Sequence, residues 1–409
     1  MRLLVVSQYF WPEDFRINEL VAELMRRGHE VTVLTGKPNY PSGVVDPEFA
    51  QNPHRFSRYE GARILRVPML ARGQGKLRLL LNYLSYAASA TLFGILRLRG
   101  EVLDAIFVFE PSPVTVGLPA VALRAVKGWP IAFWVLDQWP ETLAAIGMVT
   151  SKTGISAVGR LVSFIYSRCD VILSPSKSLM PRIRRYSGDA RVEYFPNWSE
   201  AIYSASSIEP ATEVAVRPGT FNVVFAGNIG EAQDFPTILD AAERLKARDD
   251  IRWLVVGDGR MAPWVRAEVA KRGLDERVVL LGRHAPARMP SFFTHASALL
   301  VSLKSDPVFS MTAPGKIQSY LAFGVPVLGM LDGEGATVIE DARAGLTCPA
   351  GNAAMLAQCV ESLAAMDVVD RASMGARGAA YAQKEFGRDL LIGKLELLLS
   401  EMAHHPRRT

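Results

Sequence analysis

Short uncharged runs of strand length alternate with segments of helical apolar spacing, and this alternation constrains the fold more than any other feature of the sequence. Residues 3–6 form one apolar run, residues 31–34 form the next, and Ile17, Leu20 and Leu24 recur between them at helical spacing. A strand, a helix and a second strand in this order are typical of a parallel sheet. The intervening loop, SQYFWPEDFR, contains no glycine, which argues against a dinucleotide site of the G-x-G-x-x-G type.

The same alternation restarts in the second half of the chain. Residues 221–226, 253–256 and 278–281 are strand-length runs with helical segments between them. A chain of 409 residues is too long for one compact core, so we predict two Rossmann-like α/β domains. The predicted boundaries are an N-terminal domain at 1–200, a polar linker at 201–219, a C-terminal domain at 220–385, a final helix at 386–403 that packs back on the N-terminal domain, and a tail at 404–409.

A loop between a strand and a helix in the second half is a candidate anion site. The uncharged run 298–303 leads into a loop with Thr312, Pro314 and Gly315, and a short helix continues from there to Gly324. Backbone amides at the start of that helix, with Lys316 one residue in, would stabilise an anion. The local sequence is equally compatible with a loop whose lysine is only a solvated charge.

Two carboxylates follow another strand-length run, residues 130–136. Asp137 comes directly after this run and Glu141 follows four residues later. Ligands of open α/β sheets bind at the carboxyl ends of the strands, so both acids are candidate site residues.

The segment 72–99 is the most unusual part of the chain. Residues 79–96 carry no charge, and the basic residues that flank them are Arg72, Lys76, Arg78, Arg97 and Arg99. A run of this length is near the minimum for crossing a bilayer, but a polar stripe runs along the helix. The stripe consists of Arg78, Asn82, Ser85 and Ser89. We predict a helix in or on the membrane face of the N-terminal domain, with the basic residues at anionic headgroups; a spanning helix and a buried core helix are the alternatives.

The net charge of +5 is unevenly distributed. Residues 1–200 contain 24 Lys and Arg against 17 Asp and Glu, a net charge of +7, and the rest of the chain has 22 against 24, a net charge of −2. The basic N-terminal half favours an anionic partner there, either a lipid surface or a phosphorylated acceptor. A nucleic-acid partner is not expected, because no basic run is interleaved with aromatic residues.

Cysteine usage and the N-terminus indicate a reducing compartment. Cys169, Cys348 and Cys359 are widely spaced and show no metal-ligand pairing. The apolar run at the N-terminus is too short for a secretory signal. We expect a protein at the cytoplasmic face of the inner membrane, held there peripherally or monotopically.

Six short motifs, taken in order along the chain, resemble glycosyltransferase family 4, the retaining nucleotide-sugar transferases with the GT-B fold. They are QYFWPE at 8–13, RRGHEVTVLTG at 26–36, PNYPSG at 38–43, DQWPET at 137–142, PNW at 196–198 and FAGNIGEAQ at 225–233. More narrowly, the sequence is similar to the bacterial L-fucosamine transferases of O-antigen and capsule assembly and to colanic-acid glycosyltransferases. The resemblance covers nearly the whole chain.

The resemblance implies an α/β architecture of the GT-B type, in which two Rossmann-like domains face a central cleft. The C-terminal domain would hold a UDP-sugar donor, and the N-terminal domain would hold an undecaprenyl-diphosphate-linked acceptor. The implied reaction is the retaining transfer of a deoxyamino sugar in the synthesis of a bacterial surface polysaccharide. No D-x-D sequence is present, so neither a metal nor another cofactor is expected.

The resemblance also implies roles for particular residues. The turn from Gly227 to Gly230 would approach the donor diphosphate through backbone amides, and Lys316 would neutralise charge on that diphosphate as the glycosidic bond breaks. The implied donor-binding set is Gly227, Asn228, Ile229, Gly230, Gly257, Arg283, His284, Thr312, Pro314, Gly315, Lys316 and Ser319. Asp137 and Glu141 would face the acceptor hydroxyl, although a protein base is not required, because the leaving phosphate can take the proton.

The sequence also departs from the family pattern. Two glutamates are usual around the helix that begins near Gly315, and Met311 and Ser319 stand in their places; Asn228 and Asp234 replace a usual arginine and lysine. Ser319 or Gln318 could replace the second glutamate with a neutral hydrogen bond. These departures keep open a second hypothesis, a nucleotide-sugar-binding pseudoenzyme or scaffold. A third is a GT-B-fold epimerase that acts on a free UDP-sugar, although such an enzyme would not need a lipid-facing helix.

Overall fold

The computed structural model describes residues 1–73, 75–145, 148–149, 151–204 and 207–404. The chain divides into two compact units. The N-terminal unit comprises Met1–Phe195 and the chain from Ile392 onward, and the C-terminal unit comprises Pro196–Leu391. Each unit is built on one largely parallel sheet, as expected for two Rossmann-like domains.

The sheet of the N-terminal unit has the strand order β3-β4-β2-β1-β5-β6-β7-β8. Its strands are β1 (Arg2–Val6), β2 (Glu30–Thr35), β3 (Arg58–Tyr59), β4 (Ala62–Arg66), β5 (Ala105–Glu110), β6 (Ile131–Val135), β7 (Val171–Ser174) and β8 (Arg191–Tyr194). All neighbouring pairs are parallel except β3 with β4. The central strands β1, β5 and β6 are buried almost throughout, which explains their uncharged sequences.

Helices cover both faces of such a sheet because the chain must cross over between parallel strands. Those of the N-terminal unit are α1 (Arg16–Arg26), α2 (Pro47–Gln51), α3 (Lys76–Arg97), α4 (Gly117–Lys127), α5 (Glu141–Ala145), α6 (Lys152–Tyr166) and α7 (Met180–Arg184). In α1, the predicted apolar residues Ile17, Leu20 and Leu24 are fully buried. The crossover pattern reverses between β1 and β5, and the loops after these two strands therefore open at the carboxyl edge of the sheet, where ligands bind in α/β folds.

The C-terminal unit contains a six-stranded parallel sheet of order β11-β10-β9-β12-β13-β14. Its strands are β9 (Phe221–Ala226), β10 (Ile251–Val256), β11 (Val278–Gly282), β12 (Ala298–Ser302), β13 (Val327–Met330) and β14 (Gly345–Cys348). Its helices are α8 (Phe235–Arg244), α9 (Ala262–Lys271), α10 (Met289–Phe293), α11 (Gly315–Phe323), α12 (Glu334–Asp341), α13 (Ala353–Ala365) and α14 (Val368–Phe386). The crossover pattern reverses between β9 and β12, so the loops that follow these strands form the carboxyl edge of this unit.

Three residues of the predicted linker at 201–219 pack into the core of the C-terminal unit. The ring of Tyr203 stacks on Phe293 with 5.6 Å between centroids, and Ala211 and Val214 are buried in the same core. The backbone N–H of Ala211 donates to the carbonyl of Ser291 at 3.0 Å. Apolar residues scattered through a polar segment therefore anchor it, and the units separate after Phe195 instead of after residue 200.

The middle of the polar stripe of α3 faces the N-terminal unit. Asn82 is fully buried: its side chain accepts hydrogen bonds from Gln8 at 2.7 Å and from the Tyr9 hydroxyl at 3.3 Å, and donates to the carbonyl of Leu70 at 2.6 Å. The Ser85 hydroxyl accepts a bond from the N–H of Leu70 at 3.0 Å. Asn82 and Ser85, together with buried Tyr83 and Tyr86, thus fix α3 to the N-terminal unit, and most of its leucines face outward. The exposed leucines of α3 are Leu77, Leu80, Leu81, Leu84, Leu92 and Leu96.

A last helix, α15 (Arg388–His404), returns the chain to the N-terminal unit at Ile392. Glu396 on this helix pairs with Arg27 at 2.7 Å and with His29 at 2.6 Å. Apart from His404, the predicted tail at 404–409 lies outside the described residues.

Candidate functional site

One cavity lies at the carboxyl edge of the C-terminal sheet. It has a volume of about 420 Å³ and is lined by the loops that follow β9, β10 and β11. Among the residues that line it are five of the predicted donor-binding set, Gly227, Asn228, Gly257, Arg283 and His284. Asp258 and Gly259, which the sequence did not single out, lie beside them.

The glycines in these loops permit close packing of one loop against the next. A Cβ atom at Gly257 would overlap the carbonyl oxygen of Gly227, and one at Gly259 would lie 2.5 Å from the carbonyl oxygen of Ile229. A Cβ atom at Gly227 would lie 2.7 Å from both Cε and Nζ of Lys316. Larger residues at Gly227 and Gly257 would therefore push apart the elements that form the cavity.

Most backbone amides of the turn after β9 already have hydrogen-bond partners within the unit. Few of them are therefore free to contact a diphosphate in the way that the resemblance implies. The N–H of Gly227 donates to Val256 at 2.8 Å, and the N–H of Ile229 donates to Asp258 at 2.9 Å. The N–H of Gly230 donates to the side chain of Gln233 at 3.1 Å. The Ile229 side chain is a buried core residue. In this turn, Asn228 is left as the residue whose N–H has no hydrogen-bond partner in the described part of the chain.

Lys316 lies beside this cavity, against Gly227. It lies in the first turn of α11, is partly buried, and places Nζ 3.9 Å from the centroid of the Phe225 ring. Among the described residues it has no ion-pair partner, and burial lowers the pKa of its ammonium group to about 7. The negative face of the Phe225 ring favours the charged form and offsets part of this cost. A bound anion would supply the missing counter-charge.

The other predicted residues of this loop and helix lie around the start of α11. Pro314 is the residue that precedes the helix, Gly315 is exposed, and Gly324 ends the helix in the left-handed conformation, as the sequence predicted. Thr312 uses its hydroxyl to donate to the carbonyl of Phe309 at 3.1 Å. Ser319 is buried and donates to the carbonyl of Gly315 at 3.3 Å, so its hydroxyl is engaged within its own helix.

Arg283 and His284 follow β11. Arg283 is exposed at the cavity, whereas His284 packs its ring against Phe292 with 4.5 Å between centroids. The Nε2 atom of His284 lies 3.0 Å from the carbonyl oxygen of Leu281, which holds the ring in place. Arg283 is thus an exposed charge at the cavity, and His284 forms part of the cavity wall.

A second cavity, of about 270 Å³, lies at the carboxyl edge of the N-terminal sheet. Asp137 lines it, and its carboxylate accepts a hydrogen bond from Nε1 of Trp139 at 3.0 Å. Arg72 also lines it, with its guanidinium 5.4 Å from the centroid of the Tyr40 ring. Further wall residues are Tyr9, Phe15, Leu79, Tyr83, Ser112, Thr142, Leu143 and Met148.

The two candidate acids of the N-terminal unit lie in different places. Glu141 does not line the cavity of Asp137; it borders a much smaller space beside Tyr166 and Arg182. One of its carboxylate oxygens is buried without a hydrogen-bond partner in the described structure. The structure therefore does not bring the two acids to one cavity, and the role of Asp137 toward an acceptor hydroxyl stays a prediction.

Glu110 is a third acid at this edge, and the sequence analysis did not identify it. It is fully buried at the end of β5, where one carboxylate oxygen accepts the N–H of Asp137 at 3.2 Å. Burial, reinforced by the charge of Asp137, raises the pKa of Glu110 well above its usual range. A carboxylate that ends an otherwise apolar strand is the pattern that could have revealed it.

The remaining predicted residues lie along α3. Lys76, Arg78 and Arg99 are exposed, and exposed Arg97 donates to the carbonyl of Arg66 at 3.0 Å. Within the described ranges, no three His, Cys, Asp or Glu side chains are grouped so that they could hold a metal ion.

Two family models match most of the chain. Residues 15–198 match the model described as "Glycosyl transferase 4-like domain", and residues 220–366 match the one described as "Glycosyl transferases group 1". A protein of Escherichia coli K12, named as the glycosyl transferase WcaI of colanic acid biosynthesis, is 28% identical over 341 residues, which are 79% of this chain and 82% of that protein.

Solved structures share the fold at low sequence identity. HepE from Anabaena, crystallised with UDP, has a TM-score of 0.69 at 13% identity and covers 98% of this chain and 100% of its own. Sucrose-phosphate synthase from Thermosynechococcus elongatus has a TM-score of 0.69 at 14% identity, with 98% of both chains covered. WaaG, a glycosyltransferase of lipopolysaccharide biosynthesis, has a TM-score of 0.66 at 13% identity and covers 98% of this chain and 100% of its own.

Proposed function

Because the chain belongs to the glycosyltransferases of family 4 with the GT-B fold, we propose that it transfers a sugar from a UDP-sugar to a lipid-linked saccharide in the synthesis of a bacterial surface polysaccharide. We further propose that the sugar is a deoxyamino sugar, that its anomeric configuration is retained, and that no metal takes part. WcaI, named for colanic acid biosynthesis, supports the choice of pathway class.

The observation that carries the donor assignment is the environment of Lys316. A cation without a counter-ion among the described residues lies against Gly227, at the edge of a sheet where ligands of α/β folds bind. The neighbouring cavity, at about 420 Å³, is within the usual size range for a small-molecule site. HepE, which has this fold, was solved with UDP and with UDP-glucose.

In the proposed reaction, the bond between the anomeric carbon and the diphosphate oxygen breaks, and a bond from that carbon to the acceptor oxygen forms. The proton of the acceptor hydroxyl passes to the leaving diphosphate. Negative charge grows on the diphosphate during this step, and Lys316 would stabilise it more strongly in the transition state than in the ground state. Asp137 would orient the acceptor hydroxyl.

Membrane attachment through α3 is the second part of the proposal. The helix has 22 residues and a mean hydropathy of 1.5 in its most apolar window, and one third of that window is buried. Among the described helices, it is the one long and apolar enough to cross a bilayer. Its inward face packs on its own unit through Asn82, Tyr86 and Ala90, so we propose that it lies in the interface with its leucines in the lipid.

Calorimetric titration of UDP, with GDP and ADP as controls, tests the donor site. The native protein should bind UDP selectively, and Lys316→Ala should weaken that binding at least tenfold, about 1.4 kcal/mol. Failure of the native protein to bind any nucleotide would exclude the proposed donor site. If UDP binds equally to both proteins, Lys316 does not contribute to the donor site.

Sedimentation with vesicles that contain anionic lipid tests the membrane surface. Leu77→Ser, combined with Leu81→Ser and Leu84→Ser, should reduce binding to the vesicles, as should removal of the charges at Arg72, Lys76, Arg97 and Arg99. The control is Leu397→Ser on α15, because Leu397 is 68% exposed and Leu77 is 71% exposed. If the control loses as much vesicle binding as the α3 variant, the loss reflects general surface polarity and α3 is not the membrane-binding surface.

One observation favours a second candidate, a nucleotide-sugar-binding pseudoenzyme or scaffold. Met311 and Ser319 replace the two family glutamates, and the hydroxyl of Ser319 is already bonded to Gly315. Selective UDP binding without sugar transfer or hydrolysis in the presence of lipid-linked acceptors would support this candidate.

A further inference from the structure

Two of the three cysteines lie side by side in the C-terminal unit. Cys348 is the last residue of β14, and Cys359 lies near the middle of α13, the helix that follows. Both side chains belong to the hydrophobic core of this unit, and a hydrogen bond joins their thiols. The Sγ atom of Cys359 also lies 3.8 Å from the carbonyl oxygen of Thr347, the residue before Cys348. The strand and the helix therefore hold two free thiols in contact.

The packing around α13 fixes this contact. Leu356 and Leu363, which precede and follow Cys359 by one helical turn, are fully buried. The side chain of Asn352 caps the start of the helix by accepting the N–H of Met355 at 3.0 Å. Because the helix cannot rotate without exposing these leucines, Cys359 stays directed at the end of β14. Thiols that already touch need only a small shift to reach the S–S bond length of about 2.05 Å.

The two thiols have different environments, and this difference gives them different reactivity. Cys348 is 3% exposed, whereas Cys359 is only partly buried and can be reached from solvent. The hydrogen bond from Cys348 lowers the pKa of Cys359 to about 7, and the same bond, together with burial, raises the pKa of Cys348. Since the thiolate is the nucleophilic form of cysteine, Cys359 is the sulfur that reacts first, and Cys348 lies beside it as a thiol.

The third cysteine differs from this pair in ways that make it an internal control. Cys169 is 1% exposed in the core of the N-terminal unit, and its Sγ atom donates to the carbonyl of Ile165 at 3.4 Å. Burial raises the pKa of its thiol above the ordinary value. A buried thiol of this kind is inert toward oxidants, so Cys169 should not react under conditions that oxidise Cys359.

We propose that Cys359 and Cys348 form a site of reversible oxidation, at which a peroxide converts the two thiols into a disulfide. Cys359 is the attacking sulfur and Cys348 is the resolving sulfur. The disulfide joins the end of β14 to α13, and it keeps Cys359 from the irreversible oxidation to a sulfinic acid that an isolated thiolate undergoes. This inference does not depend on the proposed sugar transfer.

The oxidation proceeds in two steps. The Cys359 thiolate attacks one oxygen of hydrogen peroxide, the O–O bond breaks, and the leaving hydroxide takes a proton from solvent and becomes water; Cys359 is then a sulfenic acid. The Cys348 sulfur attacks the sulfur of that sulfenic acid, an S–S bond forms, and the S–O bond breaks. The hydroxyl group leaves as a second water with the proton of the Cys348 thiol. The two sulfurs together lose two electrons, and the peroxide gains them.

Dilute hydrogen peroxide added to the reduced full chain tests this proposal. Trypsin releases residues 344–371 as one peptide, which contains Cys348 and Cys359 but not Cys169. In mass spectrometry the native peptide should lose the mass of two hydrogen atoms, and dithiothreitol should restore it. In Cys348→Ser the peptide should instead gain two oxygen atoms that dithiothreitol does not remove, and fragmentation should place them on Cys359 and not on Met355.

Three further variants serve as controls. Cys169→Ser should form the disulfide at the native rate, and Cys169 in the native protein should be oxidised at least about tenfold more slowly than Cys359. Cys359→Ser should leave Cys348 unoxidised at the same dose of peroxide. Cys348→Ala takes the place of Cys348→Ser if the buried hydroxyl unfolds the chain, which circular dichroism of each reduced variant detects.

A native peptide that peroxide leaves unchanged, or that gains oxygen without losing two hydrogen atoms, would overturn the proposal. A disulfide that joins two chains, seen as a linked pair of peptides, would overturn it as well. The attacking role is wrong if Cys348 in Cys359→Ser is oxidised as fast as Cys359 is in the native protein. The resolving role is wrong if dithiothreitol fully restores oxidised Cys348→Ser.

Discussion

Raising the pH from 7 to 8.5 should weaken UDP binding, and the cause is Lys316. In the free protein, burial lowers the pKa of this ammonium group from 10.5 to about 7. The negative charge of a bound diphosphate favours the ammonium form, so UDP binding should raise the pKa again. Above pH 7 the free protein has largely lost the proton that the complex needs, and binding must then take up a proton from solution.

The size of this effect follows from the two pKa values. If the bound anion restores the ordinary value of 10.5, the dissociation constant of UDP rises about 16-fold between pH 7 and pH 8.5, a loss of about 1.6 kcal/mol. At pH 8 the same shift corresponds to uptake of about 0.9 of a proton for each UDP bound. Calorimetry in buffers of different ionisation enthalpy measures both quantities.

Two variants isolate the contribution of Lys316. Lys316→Met should bind UDP weakly at both pH values, because no charge is present to titrate. Lys316→Arg should show no loss between them, because a guanidinium stays protonated throughout. A native protein whose affinity is the same at pH 7 and pH 8.5, or a Lys316→Met variant that keeps the native pH dependence, would refute this reasoning.

Three further predictions concern buried groups and one glycine. Burial raises the pKa of Glu110 above its ordinary value of 4.5, so above that pH the folded chain holds a proton that the unfolded chain has lost, and stability falls as pH rises. Glu110→Gln should remove up to about 1.4 kcal/mol of that loss per pH unit. If urea unfolding shows the same loss of stability from pH 5 to 7 in the variant and the native protein, the prediction is wrong. Gly227→Ala would place a methyl group 2.7 Å from Nζ of Lys316 and should weaken UDP binding about tenfold in calorimetry, whereas Gly100→Ala, which meets no atom within 4 Å, should not. Asp170→Ala breaks a buried ion pair with Arg124 and should lower the free energy of unfolding by about 3–5 kcal/mol in denaturant titrations. The double variant Asp170→Leu, Arg124→Met should recover much of this loss. A loss of less than about 1 kcal/mol in the single variant would show that the pair is solvated.

Local patterns predicted the elements whose structure depends on local sequence. The strand at Phe221–Ala226 and the end of α11 at Gly324 have the predicted positions, because an uncharged run and a left-handed glycine each determine their own conformation. The apolar run 102–109 also predicts a strand, but the strand begins only at Ala105. Val102 is exposed, and the carboxylate of Asp104 accepts a hydrogen bond from the N–H of Arg2 at 2.7 Å.

Features that depend on distant partners could not be predicted in the same way. The stripe of α3 could have faced either water or the protein, and its direction is decided by Gln8 and Tyr9, more than 70 residues away from Asn82. Lys316 and Gly227 are likewise brought together only by the sheet order. The cavity lined by Tyr9, Phe15 and Tyr40 was not predicted, because its walls come from separate parts of the chain. The density of aromatic residues in QYFWPEDF was the one sign of it in the sequence.

Sugar transfer itself is the most direct test of the account. The native protein is incubated with a panel of UDP-sugars and a polyprenyl diphosphate that carries one sugar, and the masses of the lipid products are determined by mass spectrometry. We expect the acceptor to gain the mass of one sugar residue with release of UDP, and Lys316→Ala to form this product far more slowly. If the native protein binds UDP and the acceptor but no UDP-sugar in the panel yields a heavier lipid, the chain is a binding protein and the proposed transfer reaction is wrong.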